Sequence, residues 1–68
     1  MKEKAQHLLE KYPYGWDVYK VVFMYEGHEQ TIYLYSKHLS IGEHCLLIDI
    51  PEMEIRWEDI LNIELSHE

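Results

Sequence analysis

Residues 48–65, Ile-Asp-Ile-Pro-Glu-Met-Glu-Ile-Arg-Trp-Glu-Asp-Ile-Leu-Asn-Ile-Glu-Leu, constrain the fold more than any other stretch of this chain. Met53, Ile55 and Trp57 alternate with Glu54 and Arg56, the period of a strand with one face buried. Leu61, Ile63 and Leu65 alternate with Asn62 and Glu64 and predict a closing strand. Only Glu58, Asp59 and Ile60 separate the two. Three residues are too few for an α-helix and suit a single 3₁₀ turn. The chain is therefore expected to finish as strand, tight helical turn, strand.

The residues before this ending fill in a small β-rich fold. Ala5, Leu8, Leu9 and Tyr12 fall at i, i+3, i+4 and i+7 and predict one amphipathic helix, stopped by Pro13, with Tyr14 and Gly15 turning the chain away. About eleven residues make a marginal free helix, so this one must pack as a lid over an end or face of the sheet. Residues 16–25 and 30–37 predict a hairpin. With Gly27 first in a two-residue type II′ turn, opposite residues have numbers summing to 55. Residues 38–43 lack periodicity and are expected to form a loop. Residues 45–50 predict a third strand that Pro51 ends. The expectation is a mainly β fold with one N-terminal helix: a small five-stranded SH3-like or Sm-like barrel over residues 16–66, in a single domain spanning residues 1–68. Its core is expected to hold Phe23, Ile32, Leu34, Leu46, Ile48, Ile55, Trp57, Ile63 and Leu65.

Composition bounds the function. At 47% hydrophobic residues the chain is too apolar to stay disordered. It contains no run near the ~20 apolar residues of a membrane span, and Met1-Lys2-Glu3-Lys4 lacks a signal peptide's apolar core. The one cysteine, Cys45, has no internal disulfide partner. A soluble, cytoplasmic protein with no membrane partner is expected. Thirteen acidic side chains against six basic ones give a net charge of -7, which disfavours nucleic acid and favours a basic or neutral protein surface.

The hairpin pattern points to a binding face. Val18, Lys20, Val22, Met24, Tyr33 and Tyr35 alternate with the core positions and so share the side that ought to be wet. Either the helix covers this patch, or the strands bend enough to draw both faces inward, or it docks a second copy or another protein. Tyr33, Tyr35 and Trp16, with Lys20 and Lys37 nearby, also suggest a stacking platform for single-stranded nucleic acid, but no basic stripe accompanies them.

Catalytic and metal chemistry find little support. His38, His44 and Cys45 are zinc-compatible ligand types, but a structural zinc needs four ligands, and His28 lies on a distant turn. His44 and Cys45, as strand neighbours, point to opposite faces and make a poor base–thiol pair. Glu52, Glu54, Glu58, Asp59 and Glu64 are simplest as solvated carboxylates, with Arg56 pairing with Glu52 or Glu54. Neither a phosphate-cradling glycine loop nor a nucleophile elbow is present. No enzymatic activity, metal or cofactor is expected.

The ending Glu54-Ile55-Arg56-Trp57-Glu58-Asp59-Ile60-Leu61-Asn62-Ile63, after strands bearing Val21-Val22-Phe23 and Thr31-Ile32-Tyr33-Leu34, resembles the YolD-like proteins of Gram-positive bacteria and their phages. The resemblance runs over residues 16–65. It implies an Sm- or SH3-like barrel and a non-enzymatic accessory role, sometimes beside error-prone DNA polymerases in the DNA-damage response. A protein-binding module, with a homodimer among its possible assemblies, is the leading reading. An acidic, phage-encoded inhibitor that mimics nucleic acid and blocks a host nucleic-acid-binding protein is the alternative, favoured by the 13-to-6 excess of carboxylates.

Overall fold

The computed structural model describes residues 1–12 and 15–66. Among the described residues an N-terminal helix, α1 (Lys2–Lys11), precedes six strands: β1 (Val18–Tyr25), β2 (His28–Tyr35), β3 (Leu39–Ile41), β4 (Cys45–Ile48), β5 (Met53–Arg56) and β6 (Ile60–Ser66). The helix forms as its apolar spacing predicts, and Tyr12 caps it by donating its backbone N–H to the Leu8 carbonyl. The expected stop at Pro13 and the turn at Tyr14 lie outside the described residues.

The strands make two three-stranded antiparallel sheets, ordered β2-β1-β6 and β3-β4-β5. The expected five-stranded barrel is thus corrected to six strands in two sheets among the described residues. Two 3₁₀ turns, Ser36–His38 and Trp57–Asp59, carry the chain from one sheet to the other. Each is entered from an extended residue, Tyr35 or Arg56, and delivers a buried aliphatic residue, Leu39 or Ile60, to the next strand. The second turn begins at Trp57, one residue before the expected start. The first occupies ground expected to be strand and loop. Beyond it Leu39–Ile41 pairs with β4, a strand too short for alternation to reveal.

The hairpin register is also corrected. Tyr25 opposes His28 and Val21 opposes Ile32, so paired numbers sum to 53 rather than 55, and Phe23 faces Gln30 instead of Ile32. The turn residues are Glu26 and Gly27, both at positive φ (50° and 80°), which is the type I′ pattern. Moving the turn by one residue slides the partner strand by two. A two-residue slide returns every side chain to the same face. The inward and outward sets therefore stand while their partners change.

The core lies between the sheets. Tyr19, Val21, Phe23, Leu34, Ile60 and Ile63 of the first sheet meet Leu39, Leu46, Ile48 and Ile55 of the second, all buried, with Ala5 of the helix. Ile32, Trp57 and Leu65, expected inside, are only half-buried at its margin. Leu61, which alternates in phase with Ile63 and Leu65, is 47% exposed. The β1–β6 register shifts between Val22 and Phe23, so Val22 opposes Asn62 while Phe23 opposes Ile60. That bulge rotates Leu61 outward and puts Ile60 in its place.

Helix α1 packs against β6 and β3 rather than over the hairpin's outer face. Its position is held by Tyr19, whose phenol donates to the carbonyl oxygens of Leu8 at 2.9 Å and Tyr12 at 3.3 Å. Among the described residues no helix is long and apolar enough to cross a membrane.

Candidate protein-docking face

The outer face of the β2-β1-β6 sheet is built in rows that the pairing registers fix. Tyr35, Val18 and Ser66 form one row; Tyr33, Lys20 and Glu64 the next; Thr31, Val22 and Asn62 a third. Met24 and Glu29 close it toward the hairpin tip. All six residues expected to bind, Val18, Lys20, Val22, Met24, Tyr33 and Tyr35, thus share this one face. Val18, Lys20 and Val22 are half-buried between neighbouring strands, whereas Met24, Tyr33 and Tyr35 are exposed, the two tyrosines at 56% and 43%.

The helix reaches this face only at its margin, where Lys4 Nζ donates to Asn62 Oδ1 at 2.6 Å. Cover by α1, one of the explanations open from the sequence, is therefore not what the fold does with the tyrosines.

One end of the face is stiffened by an aromatic–cation cluster. Trp16 sits edge-on to Tyr35, with ring centroids 5.4 Å apart and planes at 82°. Lys37 Nζ stands 3.6 Å from the centre of the Trp16 ring and 5.9 Å from that of Tyr35. Both geometries suit a ring's negative face and positive edge. The backbone holds the partners together: Ser36 N–H donates to the Asp17 carbonyl at 2.8 Å and Lys37 N–H to that of Gly15 at 3.3 Å. The approach is close at Gly15, where a Cβ would lie 3.1 Å from Lys37 Cβ and would push it back by a few tenths of an ångström. Trp16 is 70% exposed. The sequence places Trp16 at the start of the first strand and on one face with Tyr33 and Tyr35, as part of a stacking platform, whereas the strand itself begins two residues later, at Val18. The structure joins it to the docking face.

Charge divides the surface. Lys20 Nζ lies 3.9 Å from Glu64 at the centre of the aromatic face. The other sheet turns Ser40, Leu47 and Glu54 outward, flanked by the exposed carboxylates Glu43, Asp49, Glu52 and Glu58. Arg56 pairs with Glu58 at 2.5 Å, not with Glu52 or Glu54 as expected, because the 3₁₀ turn swings Glu58 back alongside it.

The remaining candidates stay apart. His38 lies in the first 3₁₀ turn, with Nδ1 3.9 Å from Asp49 Oδ2. His44 is exposed beside Glu43, and Cys45 is half-buried in β4. His28 opens β2 at the hairpin tip. Among the described residues no group of three His, Cys, Asp or Glu side chains is placed to hold a metal. Beneath the docking face, burial raises the pKa of the Tyr19 phenol, aided by the Asp17 charge and by Tyr12. Compared with protein-family models, curated proteins and solved structures, the chain matches none of them.

Proposed function

We propose that this protein is a non-enzymatic protein-binding module that docks through the outer face of β2-β1-β6. The observation that carries this reading is the contiguous exposure of Trp16, Tyr33, Tyr35 and Met24 around the half-buried Val18, Lys20 and Val22. Aromatic rings and methionine are the composition that interface centres favour. A stacked, packed cluster also loses little side-chain entropy on docking. The accessory role that the YolD-like resemblance implies, in the bacterial DNA-damage response, accords with a small module of this kind.

A second reading rests on the other sheet. Glu43, Asp49, Glu52, Glu54 and Glu58 are exposed there, in a chain of net charge -7. Such a surface suits the basic nucleic-acid site of a host protein, which it would occupy as a mimic. Capture of partners from a Gram-positive lysate, at low and high salt, separates the two. A partner that survives high salt and is lost with Tyr33→Glu supports the docking face. A catch of nucleic-acid-binding proteins that salt removes, and that Tyr33→Glu leaves intact, supports mimicry instead.

A further inference from the structure

Two sheets stacked without closing into a barrel leave a seam along each side. Helix α1 fills the one between β6 and β3, burying Ala5 there. The other, between the β1–β2 hairpin and β5, is an open groove of about 750 Å³ lined by Phe23, Met24, Ile32, Met53, Ile55 and the acidic rim. We propose that this seam accepts, as an added strand, an extended segment of another protein in which apolar residues alternate with lysine or arginine.

The free edge of β2 supplies the hydrogen bonds. Tyr25 and His28 flank the two-residue turn, so they form a hydrogen-bonded pair, and such pairs then recur at every second position. Glu29, Thr31, Tyr33 and Tyr35 are the positions between. Their N–H and C=O groups point away from β1, toward a side where no described strand pairs. A row of unpaired backbone groups is a template for strand addition. Phe23 and Ile55 are buried in the groove floor, while Ile32 and Met53 are half-buried and able to cover more apolar surface. Alternate side chains of an added strand reach that floor.

Charge selects the occupant. Glu54 and Asp59 line the groove, and Glu29 lies on the β2 edge. The groove's one cation, among the described residues, is Arg56, and Glu58 already holds it at 2.5 Å. A second copy of the chain, or a nucleic acid, would bring negative charge to a negative rim. A basic strand brings the complement.

The test uses the intact protein and a synthetic peptide of alternating lysine and valine, about eight residues long as strands commonly are. Binding is followed by backbone amide chemical shifts and fluorescence titration. The expected result is saturable binding, with the largest shifts at Thr31, Tyr33 and Ile55. The peptide N-methylated at the residues facing β2, or carrying glutamate for lysine, should not bind. Glu54→Lys should weaken the basic peptide roughly tenfold, as loss and reversal of a rim charge does. Leu61→Ala, on the opposite edge strand of the same sheet, should leave its affinity unchanged. Equal binding of the N-methylated peptide overturns the proposal. So do shifts centred on Val18, Leu61 and Glu64, loss of binding in Leu61→Ala, or no binding of the basic peptide at millimolar concentration.

Discussion

The Tyr19 phenol donates to the Leu8 carbonyl at 2.9 Å, and this one bond ties the N-terminal helix to the central strand of the sheet. Tyr19 is fully buried, and its hydroxyl also reaches the Tyr12 carbonyl at 3.3 Å, so both ends of the helix's last turn rest on it. Tyr19→Phe keeps the ring and removes the donor. Losing such a buried bond is expected to cost about 1–2 kcal/mol. Hydrogen exchange should show the amides of α1 losing protection before those of β1. Equal loss in both elements would mean that the helix and sheet open as one unit.

The same phenol predicts how stability changes in alkali. Burial raises its pKa above the ordinary value of 10.0, reinforced by the Asp17 charge and by Tyr12. The native state thus keeps the proton that the unfolded chain releases near that value. Its contribution is complete below the unfolded pKa and is lost as pH rises through the folded one. The denaturant midpoint of the wild type should fall above pH ~10 more steeply than that of Tyr19→Phe. Parallel alkaline limbs in the two proteins would place the effect elsewhere.

The hairpin turn offers a stabilising change. Glu26 adopts a φ of 50° although it carries a side chain, and Gly27 stands at 80°. A type I′ turn prefers asparagine followed by glycine, so Glu26→Asn should raise stability by up to about 1 kcal/mol. Gly27→Val should destabilise by at least as much. A Cβ at Gly27 meets nothing within 4 Å, so that cost is backbone strain and not a clash. Urea midpoints with unchanged slope would confirm both signs.

At the opposite end the Trp57 indole N–H donates to the Gly42 carbonyl at 3.0 Å, closing the β3–β4 turn over the second 3₁₀ turn. Gly42 cannot take a side chain there, because its Cβ would fall 2.6 Å from the Cys45 carbonyl oxygen, which the Gly42 N–H already uses at 3.0 Å. Gly42→Ala is expected to cost about 1–3 kcal/mol through backbone displacement, and Trp57→Phe about 1 kcal/mol for the lost bond. The two should be less than additive in a double-mutant cycle, since both act on one contact. Strict additivity would show that the indole does not hold the turn.

What the sequence made legible was face membership, and what it hid was placement along the strand. Alternation put Tyr19, Val21 and Phe23 on one side and Val18, Lys20 and Val22 on the other, and the fold keeps that division. It could not say whether Glu26-Gly27 or Gly27-His28 occupies the turn, because glycine satisfies the φ demand at either central position. Leu61 misled for a related reason: a bulge breaks the period of two without leaving any mark in residue type. Leu39–Ile41 gives only three residues of pattern, below the length at which alternation is distinguishable from loop. The binding residues come from the outward set, and Trp16, which the sequence groups with Tyr33, Tyr35 and Lys37 as a stacking platform, lies against Lys37 at the end of that same face.

The exposed aromatic face leads to a last prediction, about self-association. Tyr33, Tyr35 and Met24 remain exposed because α1 is committed to β6 and β3. A second copy, related by a two-fold axis, is the simplest occupant: the same patch then covers itself on both protomers. Lys20 and Lys37 balance Glu29 and Glu64 on this side, whereas the carboxylates of Glu43, Asp49, Glu52 and Glu54 lie with the other sheet. The contact would be mostly apolar and aromatic, so salt should leave it intact or strengthen it by screening the net charge of -7. Sedimentation velocity of the wild type should show a dimer at high micromolar concentration, in low and high salt alike. Tyr33→Glu with Val22→Lys should be monomeric and still folded. A wild type that stays monomeric across that range would leave the face to a different protein, and a dimer that salt dissolves would move the contact to the charged surface.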